Sequence, residues 1–208
     1  MTRLSKQIIK LGLLGIFNFI SSFHCIAQTQ VKKAKYNIEV FGMDVGELNV
    51  EQQIIGHDTI VKAITSVDFK FIFTYKGIYS QEGTYRNGEL LQSHLKIIRK
   101  GKVSSDTRIT KTGNYYTVIE GDEDTSYIYN KIRYSGSLVY FNEPVDISTI
   151  YYETSGEQKK IEAIGDHIYH VFKINKNKKN DYEYEYEDGI LKRATIRYPL
   201  ANIYLERE

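Results

Sequence analysis

The residues able to do chemistry are few, and their spacing excludes most common reactions. Asp166, His167 and His170 combine acid–base and metal-ligating groups, but residues three apart on a straight strand face opposite sides, so the two histidines could not chelate one ion. Gly121-Asp122-Glu123-Asp124 offers oxygen ligands without the Asp-x-Asx-x-Asx-Gly spacing and distal Glu of a calcium loop. Tyr134-Ser135-Gly136-Ser137 is the nearest approach to a nucleophile elbow and does not have the Gly-x-Ser-x-Gly frame. Neither a Walker A loop nor a dinucleotide Gly-x-Gly-x-x-Gly occurs, so no cofactor, metal or catalytic residue is assigned. The 26 acidic residues guarantee close carboxylates somewhere, which leaves a hydrolase working through a carboxylate pair as an alternative function.

The sharpest pattern is Asp181-Tyr182-Glu183-Tyr184-Glu185-Tyr186-Glu187-Asp188-Gly189. Strand alternation sends Tyr182, Tyr184 and Tyr186 to one face and the three glutamates to the other. The plain reading is that the tyrosines cover a core while the glutamates are solvated. Tyr rather than Phe or Leu at all three positions instead favours a partly exposed concave pocket, where an apolar body with a polar tip suits an amphipathic small molecule or an envelope protein. His170, half-buried on a strand face shared with Ile168, Phe172 and Ile174, completes the candidate ligand-binding set of Tyr182, Tyr184, Tyr186 and His170.

The chain that must position these residues has 208 of them, and its start reads as a leader. Arg3, Lys6 and Lys10 precede an apolar run from Leu11 to Ile20, and a polar stretch then closes on Cys25-Ile26-Ala27. The run is too short to span about 30 Å of hydrocarbon as a helix. Residues 1–27 are therefore expected to be a signal peptide, and residues 28–208 one mature domain exported to the periplasm, with extracellular release as an alternative. The mature chain would hold 25 cationic and 26 acidic residues, a net charge of −1, and no cysteine or transmembrane helix. No basic field remains for nucleic acid, and thiol chemistry is excluded.

From Gln28 onward, 70 residues are Ile, Val, Thr, Tyr or Phe, against 8 Leu and 5 Ala, which predicts an all-β domain. Turn glycines separate period-2 runs in the manner of an antiparallel meander. The first run, Tyr36 to Val40, turns through Gly42 to Gly46 and resumes up to Ile55. Ile60 to Val67 forms another strand, broken by Asp68 before a separate strand from Phe69 to Tyr75. Asn87-Gly88, Lys100-Gly101 and Thr112-Gly113 mark hairpins. Later strands are expected at Lys159 to Ile164, His167 to Ile174, Tyr182 to Glu187, Leu191 to Tyr198 and around Ile203 to Leu205. One short helix is predicted, capped by Asp146, with Ile147, Ile150 and Tyr151 at helical spacing. The expected architecture is about ten strands curving into a half-barrel or incomplete barrel. An integral outer-membrane barrel is the structural alternative, opposed by the absence of a continuous lipid-facing apolar band.

Several of these segments together resemble a family of uncharacterised β-rich domains in exported proteins of Gram-negative bacteria. They are Tyr36-x-Ile38 with Gly42-Met43-Asp44-Val45-Gly46-Glu47-Leu48, Tyr85-Arg86-Asn87-Gly88-Glu89-Leu90, Asn142-Glu143-Pro144, Gly165-Asp166-His167-x-Tyr169 and Tyr182-x-Tyr184-x-Tyr186-x-x-Gly189. The resemblance covers nearly the whole mature chain and implies a single curved sheet or incomplete barrel. It carries no catalytic assignment.

Overall fold

The computed structural model describes residues 29–70, 74–121, 124–154, 156–173 and 181–208. The expected leader lies outside them, as do Asp122 and Glu123 of the acidic turn. The described chain is all-β, with no helix. In order it forms β1 (Gln30–Val40), β2 (Met43–Ile55), β3 (Asp58–Lys70), β4 (Thr74–Arg86), β5 (Glu89–Arg99), β6 (Lys102–Thr112), β7 (Tyr115–Glu120), β8 (Asp124–Ile128), β9 (Thr149–Tyr152), β10 (Glu157–Gly165), β11 (Ile168–Phe172), β12 (Tyr182–Glu187), β13 (Ile190–Arg197) and β14 (Asn202–Arg207).

All fourteen lie in one antiparallel sheet ordered β8-β7-β6-β5-β4-β3-β2-β1-β14-β13-β12-β11-β10-β9. Two runs of consecutive hairpins thus meet where β1 pairs with β14, Ile38 opposite Leu205. The outer strands β8 and β9 do not pair, so the sheet is an incomplete barrel. Asn87 and Gly88 take φ of 50° and 72°, and Lys100 and Gly101 take 50° and 77°, the doubly left-handed turn that matches strand twist in a tight hairpin.

Three local expectations are corrected. The predicted helix is absent: Asp146 has φ of 58°, outside the extended backbone that an N-cap adopts, and Ile150 and Tyr151 belong to β9. Both are buried, and two buried neighbours on a short strand imitate helical spacing. Asp68 does not break β3, because it lies opposite Lys76 of β4 and its carboxylate is 3.3 Å from the Lys76 ammonium. Phe69 and Tyr75 are accordingly partners across a hairpin, not members of one strand; positions 71–73 lie outside the described residues. The first turn closes at Gly42, and Gly46 sits within β2. A Cβ on Gly46 would lie 2.0 Å from the Ser66 carbonyl oxygen, so close strand approach requires glycine there.

Between β8 and β9, residues 129–148 cross the inside of the curve as a strap. Leu90 of β5 donates its N–H to the Ile132 carbonyl at 2.9 Å, and Leu191 of β13 donates to the Tyr140 carbonyl at 3.0 Å. The Asn142 side-chain amide donates to Gln52 Oε1 of β2 at 2.8 Å. Tyr134, Leu138, Val139 and Phe141 of the strap are buried in one core with Tyr36, Val61, Tyr85, Tyr184 and Tyr186 from the sheet. The sheet curls around this strap because its inner face is apolar and the strap supplies the opposing layer.

The outer face is charged. Lys33, Glu51, Lys62, Glu82, His94 and Arg108 stand side by side across β1 to β6. Within this row Lys33 and Glu51 approach to 3.0 Å. A lipid-facing band would be apolar there. Among the described residues no helix is long and apolar enough to cross a membrane.

Candidate functional site

The strap fills part of the curve and leaves a cavity of about 950 Å³ beside it. Alternating inward residues of the sheet supply most of its wall, among them Leu48, Ala63, Leu95, Ile97, Ala194 and Leu205. Phe41, Tyr198 and Leu200 also line it and are 54%, 47% and 89% exposed, which marks the mouth. A cavity of this size with apolar walls and a few polar groups has the character of a small-molecule site.

Its polar groups include Gln81 of β4, Arg99 of β5 and Lys173 after β11, and two of them, Glu153 after β9 and Lys159 of β10, are themselves buried. Glu153 is buried, and Ser135 Oγ donates to its Oε1 at 2.5 Å, with Ser137 Oγ donating at 3.3 Å. The Tyr85 hydroxyl reaches both serines, at 2.5 and 2.6 Å. Gly83 makes room for this cluster, since a Cβ there would lie 2.9 Å from Ser137 Oγ. Burial pushes the Glu153 carboxyl up from the ordinary carboxylate range, and the hydrogen bonds from Ser135 and Ser137 only partly oppose it. The hydroxyls of both serines are engaged by Tyr85, Glu153 and each other.

Lys159 is the second polar element. It shares the inward face of β10 with Ile161 and is only 2% exposed. Its ammonium lies 4.4 Å from the centre of the Tyr152 ring and 4.1 Å from that of Tyr182. Burial, reinforced by the nearby Lys173 charge, pushes its pKa down to about 8, against the pull of Glu157 and Asp181. Among the described residues no carboxylate lies within ion-pair distance of it. Lys173 is held instead by Glu157, at 2.7 Å from Oε1.

The sequence-predicted residues divide here. Tyr182 and Tyr184 line the cavity; Tyr186 and His170 do not. Tyr184 is 5% exposed and joins its hydroxyl to that of Tyr152 at 2.5 Å, and Tyr186 packs edge-on against Tyr169. His170 lies opposite Glu183 in the β11–β12 register, on the outward face, and its Nε2 is 3.1 Å from Asp181. His167 sits in the preceding turn with Nδ1 2.9 Å from Glu143. Glu153 and Lys159 are not among the sequence-predicted site residues. Lys159 alone left a signal, being a cation in phase with Ile161.

A search of curated proteins finds no match. Among solved structures, the chain is similar to a crystal structure from Brucella abortus described as a beta-barrel-like protein of domain of unknown function DUF1849. The TM-score is 0.55 at 10% identity, covering 85% of this chain and 95% of that one. At that identity the likeness speaks to fold alone. The profile of a domain of unknown function, DUF6134, matches residues 36–208. That span runs from the buried Tyr36 of β1 through the strap to the end of β14, taking in every wall of the cavity, and the chain belongs to the DUF6134 family.

Proposed function

We propose that the protein is an exported, non-catalytic envelope module that holds an amphipathic molecule inside its curved sheet. The cavity carries this reading: about 950 Å³ of largely apolar space, at the upper end of the volumes that enclose a small ligand. Among its polar groups, Glu153 and Lys159 are buried and fixed by packing, as specificity groups in such sites are. Export rests on the leader-like residues 1–27. A paired-carboxylate hydrolase is less well supported, because the two lining carboxylates are already engaged, Glu153 by serine hydroxyls and Glu157 by Lys173.

The test expresses the chain with its leader and recovers it from a periplasmic extract, with Gln28 expected at its N-terminus. A neutral dye that fluoresces in apolar surroundings, such as N-phenylnaphthylamine, is then titrated in. Saturable binding of one dye per chain is expected, and Ala63→Phe, which places a ring in the cavity wall, should abolish it while the variant remains folded. No saturable uptake by the wild-type protein would defeat the proposal, and a cytoplasmic product with an intact leader would defeat export.

A further inference from the structure

We infer that Lys159 is the head-group site of this cavity and that the ligand is a single-chain amphiphile with an anionic head, a carboxylate or a phosphate. The inference rests on the ligand-binding reading above and adds the chemical class. An ammonium buried without a counter-charge is costly, and Lys159 is 2% exposed in the cavity wall. Among the described residues, the carboxylates nearest to it have partners of their own. Glu157 is taken by Lys173 at 2.5 Å, Asp181 lies 3.1 Å from His170, and Glu153 accepts from Ser135. The faces of Tyr152 and Tyr182 offer the cation partial compensation. They also fix the ammonium at one point of a largely apolar wall.

A ligand that brought its own anion would complete that arrangement, and its apolar chain would fill the wall formed by residues such as Ala63, Leu95 and Leu205. Burial and the neighbouring Lys173 charge hold the Lys159 pKa down at about 8, against the pull of Glu157 and Asp181. A cationic head would meet like charge at the same point, and a neutral head would leave the ammonium uncompensated. Selectivity should therefore follow head-group charge when the chain is held constant.

The experiment displaces the neutral dye with dodecanoate, dodecyl phosphate and dodecanol, which share one chain. For the wild-type protein at least one of the two anions should displace the dye at a concentration roughly ten- to hundred-fold below that of dodecanol, the range expected for a hydrogen bond to a charged group. Whichever anion is the stronger identifies the head. Lys159→Met, which keeps the apolar stem, should bind the dye as before and lose that preference. Equal displacement by both anions and the alcohol in the wild-type protein overturns the inference, and so does a Lys159→Met variant that still prefers the anion. The wild-type comparison stands even if the variant does not fold. Absence of dye binding would instead strike the cavity reading itself, so the two failures are distinguishable.

Discussion

Glu153 shows how one buried residue couples the strap to the sheet. Its carboxylate accepts from Ser135 and Ser137, and the Tyr85 hydroxyl of β4 reaches the same two serines. Because burial raises its pKa above the ordinary 4.5, the folded state holds this proton more tightly than the unfolded chain does. The stability contributed by the protonated form is complete below about pH 4.5 and is lost as pH rises through the folded value. Glu153→Gln keeps an acceptor oxygen and removes the titration. Its denaturation midpoint should therefore gain on that of the wild-type protein as pH is raised from the acid side, measured by urea titration at a series of pH values; a constant difference would refute the buried-acid assignment. Neither Glu153 nor Lys159 was legible beforehand as a cavity residue. One acid among 26 has no distinguishing neighbour in the sequence, and the serines that hold it are 18 and 16 positions away.

At the scale of the element, hairpins were legible and the strap was not. Asn87-Gly88 and Lys100-Gly101 announce themselves because left-handed turns narrow the choice of residue. Residues 129–148 have no period, and their burial is decided by distant partners such as Gln52 and Leu191. Strand β12 falls between these cases: alternation assigned its faces, while burial, which alternation does not report, packed Tyr184 and Tyr186 deep. Tyr184→Ala should consequently lower stability by about 3 to 5 kcal/mol, the range for truncating a buried aromatic. On the opposite face Glu185, 3.2 Å from Lys192 in a solvent-facing ion pair, should tolerate Ala within about 0.5 kcal/mol. Equilibrium unfolding in urea measures both, and a larger loss at Glu185 than at Tyr184 would reverse the faces.

For the whole molecule, the decisive contact is the one that neighbouring residues cannot encode. The eight strands from β1 to β8 and the five from β9 to β13 are each a run of local hairpins, and β14 is the strand that pairs with both, with Leu205 opposite Ile38 on one side and Ala194 on the other. Side chains from both arms share one core with the strap, so the arms should unfold together in a single transition. A proline in the middle of β14 removes a ladder hydrogen bond and strains the strand where it has neighbours on both sides. Leu205→Pro should accordingly cost more than about 2 kcal/mol, from a buried backbone group left without its partner. Thr125→Pro, on the free-edged β8, should cost less, since an edge strand has a neighbour on one side only. Circular dichroism and tyrosine fluorescence followed through the same denaturant titration should give coincident curves for both variants. Two separated transitions in Leu205→Pro would mean that each arm folds on its own, and that the cavity between them is an interface rather than the interior of one cooperative unit.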